Sequence, residues 1–152
     1  MIFALPAALK ERSKVCVNNH ISALISASHA LNVRTAAAFD SSIQPAAFHI
    51  VRWLYSYGPT SASVLAESTA MDRSSVSRLI KQLENLGYVR REDSPNDRRA
   101  ILLTLTDLGR QKTFDALQDK EFIFYERIAQ WDNQQLETFI QMLQEFNGFN
   151  DN

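Results

Sequence analysis

The sequence is poor in the residues that break, cross-link or anchor a chain. It contains four glycines, four prolines and one cysteine among 152 residues. So few glycines and prolines argue against a β-sandwich with many turns, and a lone Cys16 excludes an internal disulfide. No apolar run approaches the roughly 20 residues of a membrane-spanning helix, and the apolar start runs into Lys10-Glu11-Arg12 without a cleavage site. We therefore expect one mostly helical domain in the cytoplasm, without a membrane partner.

Charge is balanced overall but unevenly distributed. Residues 73–112 contain nine Arg or Lys and five Asp or Glu, a net charge of +4. Residues 113–152 contain two Arg or Lys and eight Asp or Glu, a net charge of −6. The first 72 residues carry a net charge of +1, so the whole chain has a net charge of −1. A basic segment within such a chain can attract a polyanion while the acidic end stays away from it.

Hydrophobic spacing predicts two helices before the basic segment. The first is predicted from about Ala8 to about Arg34 and is longer than one small domain can cover. The second begins at Pro45, which suits the first turn of a helix, and ends at Gly58-Pro59. The expected buried side chains are Val15, Ile21, Leu24, Ile25 and Leu31 in the first helix, and Phe48, Val51, Trp53, Leu54 and Tyr57 in the second.

Two short helices joined by a tight turn come next. Thr60 or Ser61 caps a third helix that reaches about Ser68, and Thr69–Asp72 forms the turn. The fourth helix has an apolar face made of Val76, Leu79, Ile80, Leu83 and Leu86. Its opposite face carries Ser74, Arg78, Lys81 and Asn85, with Ser75 and Gln82 beside them. Because Glu84 is the only acidic residue in this helix, the pattern indicates a helix-turn-helix with a cationic outer face.

A hairpin follows the fourth helix directly. Gly87 can end the helix in the left-handed conformation, and a first strand is predicted over Tyr88–Glu92. Asp93–Asp97 is rich in turn residues, and Ala100–Leu105 forms the return strand. The apolar residues that share one face of that strand are Ile101, Leu103 and Leu105. A hairpin in this place is the wing of a winged helix-turn-helix.

Two further helices complete the chain. Thr106-Asp107 caps a helix predicted to reach about Gln130, and Asp132 caps the last one. The last helix carries one apolar stripe, namely Leu136, Phe139, Ile140, Leu143 and Phe146. Together with the long first helix, these elements exceed what a winged helix needs, and the surplus apolar surface predicts a dimer interface. The predicted fold is mainly α with a small β-hairpin, a winged helix-turn-helix plus a helical dimerisation region.

The segment from Met71 through Leu105 closely resembles the MarR family of bacterial transcriptional regulators. The resemblance rests on Asp97-x-Arg99 followed by Leu105-Thr106, which match the family's wing signature, and on the order of the surrounding helices. It implies a homodimer with a helical dimerisation region of about residues 1–36 and 107–152 and a DNA-binding region of about residues 44–105. It also implies a repressor of a pseudo-palindromic operator, relieved by a small-molecule effector of phenolic or aromatic type.

The outer face of the fourth helix supplies the expected contacts with double-stranded DNA. Arg78 is long enough to reach guanine acceptors in the major groove, whereas Lys81 lies further along and closer to phosphate. The remaining expected contacts are Ser74, Ser75 and Gln82, to base edges or phosphates, and Thr60 and Ser61, to a phosphate at the start of the third helix.

The tip of the wing is expected to reach a narrow minor groove, where the negative potential is strongest. By the resemblance, Arg99 is the residue that enters the groove, Asp97 orients it, and Arg98 lies near the DNA backbone. The alternative is that Asp97 and Arg99 pair only to hold the turn.

Two alternative functions stay open at this point. A redox-sensing repressor would use Cys16, although a lone cysteine on an apolar helix is typically an inert core residue. A winged helix can also serve as a protein-interaction module that does not bind DNA.

Nothing in the sequence favours an enzyme, a cofactor or a metal site. His20 and His29 fall on opposite sides of a helix, and neither they nor His49 belong to a cluster with carboxylates or cysteines. Neither a Gly-rich phosphate loop nor a nucleophile motif is present. The aromatic residues of the second helix favour core packing over an effector cavity: Phe48, Trp53, Tyr55 and Tyr57. We therefore assign no effector-binding residue.

Overall fold

The computed structural model describes residues 11–148, except for the side chains of residues 11–14 and 119–122. Within that span the elements are α1 Glu11–Phe39, α2 Pro45–Tyr57, α3 Ala62–Thr69, α4 Arg73–Asn85, β1 Val89–Asp93, β2 Ile101–Leu105, α5 Asp107–Ile128 and α6 Asn133–Asn147. The predicted class, mainly helical with one antiparallel hairpin, is confirmed. The predicted start of the first helix near Ala8 lies outside the described residues. The chain divides into two compact units, one reaching Ala116 and the other beginning at Leu117.

Helix α2 lies at the centre of the first unit, where it packs against α1, α3, α4 and β2. Its bounds agree with the prediction, because Pro45 suits the first turn and Gly58 leaves the helix with a φ of +86°. The core around α2 includes Phe39, Ala47, Phe48, Ile50, Val51, Leu54, Leu65, Val76, Ile80, Leu83 and Leu103. The prediction that Tyr57 is buried was wrong: the ring is exposed and stacks against Trp53, with 4.9 Å between centroids.

Among the described side chains of helix α1, only those in its C-terminal turns are buried. It ends at Phe39, five residues beyond the predicted Arg34, and its buried residues are Asn32, Thr35, Ala36 and Phe39. Of the five residues predicted to be buried, Val15, Leu24 and Ile25 are exposed, while Ile21 and Leu31 are intermediate. Hydrophobic spacing alone cannot say what covers a residue, and among the described side chains only the end of this helix is covered.

The wing consists of β1 and β2 in antiparallel register, with Val89 opposite Leu105 and Asp93 opposite Ile101. Thr60 adds a further bridge, since its N–H donates to the Leu103 oxygen at 3.1 Å and its oxygen accepts from the Leu103 N–H at 2.7 Å. Leu103 and Leu105 are buried. Ile101, predicted to share their face, is exposed because it pairs near the tip of the hairpin, beyond the core.

The second unit contains the remainder of α5 and all of α6. The predicted cap of the last helix is confirmed, since the Asp132 carboxylate accepts from the Gln135 N–H at 2.8 Å and the Gln135 side chain accepts from the Asp132 N–H at 3.0 Å. The predicted apolar stripe is present on α6, yet no residue of this helix is buried. The described part of this unit therefore leaves an apolar helical face exposed.

Candidate nucleic-acid interface

The turn between α3 and α4 determines where the exposed face of α4 starts. Ala70 adopts the left-handed conformation, with a φ of +53°, and the next N–H, that of Met71, donates to the Ala66 oxygen at 3.1 Å. Asp72 then caps α4, its carboxylate accepting from the Ser75 N–H at 2.8 Å. The predicted turn is therefore confirmed, and it brings α3 and α4 into contact in a helix-turn-helix arrangement.

Helix α4 separates a buried apolar face from an exposed polar one. The predicted apolar residues Val76, Leu79, Ile80 and Leu83 are buried. Leu86 is exposed instead, because it is the C-cap and lies after the last helical residue. The outer face comprises Ser74, Arg78, Lys81 and Asn85, all of them exposed. The core thus holds α4 from one side and leaves the other side open to a ligand.

Three side chains at the start of α4 are connected by hydrogen bonds. The Arg78 Nη2 donates to the Ser75 Oγ at 3.2 Å, and that hydroxyl donates to the Asp72 Oδ2 at 2.6 Å. Hydrogen bonds from the Ser75 hydroxyl and amide, in that order of effect, hold the pKa of the Asp72 carboxyl below its usual range. Asp72 is therefore ionised at neutral pH, and Arg78 is connected to it through Ser75.

Glu84, the single acidic residue of α4, is paired within the protein. Its Oε1 accepts from the Arg91 Nε of β1 at 2.7 Å, and its Oε2 accepts from the Arg91 Nη2 at 3.3 Å. This two-point contact joins the last turn of α4 to the wing. Within the described residues no carboxylate forms an ion pair with Arg78 or Lys81, so the outer face keeps its positive charge. Such a surface suits the phosphates of a nucleic acid.

The tip of the wing is held by backbone contacts. The Asp97 Oδ1 accepts from the Arg99 N–H at 2.9 Å, and the Asp97 carbonyl accepts from the Ala100 N–H at 3.0 Å. Arg98 and Arg99 are exposed, and across the described part of the chain neither guanidinium pairs with a carboxylate. Asp97 thus shapes the turn through the backbone of Arg99 and leaves both arginine side chains open.

Thr60 and Ser61 differ in their surroundings. Ser61 is the N-cap of α3, with its Oγ accepting from the Val64 N–H at 3.3 Å, so the structure selects it over Thr60 as the cap. Thr60 is buried and uses its backbone in the bridge to Leu103. Ser61 is therefore the more accessible of the two residues, and contact of either with phosphate stays a prediction.

The base of the wing contains a hydrogen-bonded cluster that the sequence did not reveal. The Tyr88 hydroxyl donates to the Asp40 Oδ2 at 2.5 Å and accepts from the Lys112 Nζ at 3.3 Å. The Tyr88 ring meets the Phe39 ring edge-on, with 4.8 Å between centroids. The cluster joins the end of α1, the start of the wing and α5. Because its members are separated by 48 and 24 residues, no local spacing could have predicted it.

The second half of the wing signature also has a structural role. The Thr106 Oγ1 donates to the Gly87 oxygen at 2.6 Å and accepts from the Gly109 N–H at 3.0 Å, which confirms the predicted cap of α5. A Cβ atom on Gly109 would lie 2.2 Å from the Tyr88 carbonyl oxygen. Gly109 thus permits the start of α5 to lie directly against the wing, a requirement that a Leu-Thr-x-x-Gly spacing could have indicated.

The residues considered for redox sensing and metal binding do not form a site among the described residues. Cys16 was expected in the core but is exposed, because the described residues do not cover the part of α1 that carries it. The Asn32 Nδ2 contacts the His49 Nε2 at 3.0 Å. Across the residues that the structure describes, no three His, Cys, Asp or Glu side chains gather as metal ligands. Within the same residues, no helix has the length and apolarity that crossing a membrane requires.

The chain is similar to known transcriptional regulators. The MarR family model matches residues 43–101. YxaD, an uncharacterised HTH-type transcriptional regulator of Bacillus subtilis strain 168, is 33% identical over 122 residues, which cover 76% of this chain and 85% of the relative. A MarR family protein from Bacillus stearothermophilus, at 18% identity, has the same fold with a TM-score of 0.71 over 93% of this chain and 97% of that one.

The wild-type MarR protein of E. coli, in its apo form, also shares the fold. It is 18% identical, with a TM-score of 0.64 over 94% of this chain and 97% of that one. The family match covers α2 through the start of β2, which is the region that holds the outer face of α4 and the wing tip. The chain therefore belongs to the MarR family of transcriptional regulators, a family of DNA-binding regulators and not of enzymes.

Proposed function

We propose that the protein is a dimeric repressor that reads a pseudo-palindromic operator. In this proposal α4 enters the major groove and the wing tip enters the neighbouring minor groove. The observation that carries it is the outer face of α4, which is exposed and cationic on a helix whose opposite face is anchored in the core. A helix held in this way after a tight turn has the geometry of a recognition helix.

Each predicted contact has a distinct role in the proposal. Arg78 reads guanine, and Lys81 meets phosphate, because a bidentate guanidinium suits the two guanine acceptors while an ammonium acts as a point charge. Arg99 enters the minor groove and Arg98 meets the backbone, with Asp97 shaping the turn. The remaining contacts to bases or phosphates are Ser74, Gln82, Thr60 and Ser61.

Dimer formation is supported by apolar surface that each unit leaves uncovered. Val15, Leu24 and Ile25 are exposed on α1, and Ile140 and Phe146 are exposed on α6. Monomeric proteins rarely expose such large apolar patches, and a second copy related by a two-fold axis would cover both sets. The two reading heads would then address half-sites about one helical turn, roughly 10 bp, apart.

Relief by a small molecule is supported by a cleft between α1 and α2. It has a volume of about 470 Å³ and is lined by Leu24, Ile25, Ser28, His29, Asn32, His49 and Arg52. The Asn32 Oδ1 is buried there and, among the described residues, has no hydrogen-bond partner. An effector bound at this level would act by changing the spacing of the two heads, since a shift that prevents simultaneous docking removes avidity.

Selection of bound sequences from a random DNA pool, followed by titration of the selected operator, tests the proposal. Arg78→Ala should relax base preference at a cost of about 1–3 kcal/mol of binding free energy. Arg99→Ala should weaken binding to sites with A/T-rich flanks, where the minor groove is narrow. Affinity should also fall steeply with salt, because phosphate contacts release counterions.

The alternatives predict different outcomes. A protein-interaction module would show no salt-dependent DNA affinity and would tolerate both arginine substitutions. A redox-sensing repressor would lose operator affinity on peroxide treatment in the wild type but not in Cys16→Ser. Unchanged footprints in Arg78→Ala and Arg99→Ala would contradict the proposed reading mode.

A further inference from the structure

Arg78 is not a free side chain at the surface of α4. Its Nη2 donates to the Ser75 Oγ at 3.2 Å, and Ser75 in turn donates to the Asp72 Oδ2 at 2.6 Å. One turn of helix separates Arg78 from Ser75, and Ser75 lies within the first turn, so all three groups lie on the same side of the helix start. Arg78 also lines two clefts, one together with Asp72 and Ser75 and the other together with Lys81 and Asn85.

Capping explains only part of this arrangement. The Asp72 Oδ1 already caps the helix by accepting from the Ser75 N–H at 2.8 Å. The second oxygen, Oδ2, is used for the Ser75 hydroxyl, and this additional bond satisfies no backbone group. Its effect is to orient the Ser75 hydroxyl so that the oxygen lone pairs are available to the guanidinium.

We propose that Asp72 and Ser75 are positioning residues that hold Arg78 ready to read a base, so that Ser75 acts through Arg78 and not by touching DNA itself. The inference rests on the proposed function, in which Arg78 contacts guanine. It assigns a part in specificity to a carboxylate that otherwise caps the helix and repels the phosphates of DNA.

The physical reason is the flexibility of arginine. A long side chain loses rotamer freedom when it binds, and a side chain that is already held loses less. One guanidinium nitrogen is used by Ser75, and the remaining N–H groups still suffice for the bidentate contact with guanine. The ionised Asp72 also disfavours contacts with phosphate at any sequence, so the chain of hydrogen bonds should raise the ratio of specific to non-specific affinity.

A double-mutant cycle on the full-length protein tests this role. Ser75→Ala removes the hydroxyl but keeps the Ser75 N–H that Asp72 needs for the cap, so the helix start is preserved. We expect Ser75→Ala to weaken operator binding about three- to tenfold and to flatten preference at the same base that Arg78→Ala affects. In the Arg78→Ala background, Ser75→Ala should have no further effect on operator affinity, because Ser75 is proposed to act on DNA binding only through Arg78. Ser75→Thr, which restores a hydroxyl, should recover most of the affinity.

The outcomes separate the inference from the proposed function. Additive losses would show that Ser75 contacts DNA directly, and an unchanged affinity in Ser75→Ala would show that Arg78 needs no support; either result overturns the inference alone. No effect of Arg78→Ala would overturn both. Ser56→Ala, at an exposed serine of α2, is the matched control, and equal melting temperatures of all variants exclude a loss of folding.

Discussion

Ala70 shows how a single residue can take a role that usually belongs to another type. It is the only described residue other than glycine with a positive φ, and it lies in the turn between the two helices of the helix-turn-helix. The left-handed conformation brings the Cβ of an L-residue too close to the backbone, at a cost of about 1–2 kcal/mol. The turn is nevertheless maintained, because the Met71 N–H reaches the Ala66 oxygen and α3 packs on α4.

Ala70→Gly should therefore stabilise the protein. Relief of the strained conformation outweighs the extra freedom of glycine in the unfolded chain, which leaves a gain of about 0.5–1 kcal/mol. Urea unfolding followed by circular dichroism measures the change. Ala30→Gly, in the interior of α1 and exposed, is the control and should cost about 1 kcal/mol. A loss of stability in Ala70→Gly would contradict the assigned strain.

The sequence predicted the roles of individual side chains to different degrees. Our proposal that Arg78 reads a base rests on its type and its place on the outer face of α4, and both are visible in the sequence. The connection of Arg78 to Asp72 through Ser75 is not visible there, because it depends on rotamers that three neighbouring side chains adopt together. A serine in the first turn of a recognition helix looks the same whether it touches a base or a neighbouring arginine.

Among the elements, the wing is the one whose position depends on several others. Tyr88 connects its base to the end of α1 through Asp40 and to α5 through Lys112. Glu84 and Arg91 connect its first strand to the end of α4. The wing is therefore bonded to the end of α1, to α4 and to α5, and in our proposal a change of spacing between two reading heads acts through these contacts.

The Asp40 contacts predict a pH dependence of stability. Hydrogen bonds from the Ser42 side chain and then from Tyr88 lower the pKa of Asp40 to about 2 from the ordinary 3.8. Because the pKa is lower in the folded state, the carboxylate stabilises the fold above about pH 4, and this contribution is lost as the pH falls towards 2. Asp40→Asn should therefore cost about 1–2 kcal/mol at pH 7, and the deficit should shrink between pH 4 and pH 2.

Thermal unfolding of both proteins across that pH range measures the effect. Asp93→Asn serves as the control, since the Asp93 side chain is exposed and makes no hydrogen bond within the described residues. It should change stability little at any pH. If the loss of stability in Asp40→Asn stays constant down to pH 2, then the Asp40 side chain stabilises the fold through its packing and not through its charge.

For the whole molecule, the exposed apolar faces of α1 and α6 are the feature that one chain alone does not explain. Ile25 is 64% exposed and Phe146 is 61% exposed, although both belong to stripes with helical spacing. The sequence places these residues on one face of each helix. Their exposure among the described residues supports our proposal that a second copy of the chain covers them.

Ile140→Glu should weaken the dimer. Ile140 is 55% exposed in the single chain, so a charge there should not prevent folding, but it would be costly to bury between two subunits. Sedimentation should show a dimer for the wild type and a shift towards monomer for the variant. Operator affinity should fall about 100-fold or more, because binding of the second head is no longer intramolecular.

Gln141→Lys is the matched control. It places a charge on the opposite face of α6, where Gln141 contacts Glu145, and it should leave the dimer intact. A wild-type protein that sediments as a monomer at micromolar concentration would contradict the proposed assembly. Equal effects of both substitutions would show that charge on α6, and not its apolar stripe, governs association.

The sequence by itself determined the succession of elements, the two faces of α4, the caps at Thr106 and Asp132, and the family. These depend on local spacing, on backbone preferences and on a motif within about 35 residues. Only the tertiary structure decided which part of α1 is buried, that Tyr88 connects three elements, and that Arg78 is held by Ser75. Each of these depends on groups that meet in space or on a choice among rotamers, and hydrophobic periodicity contains no information about either.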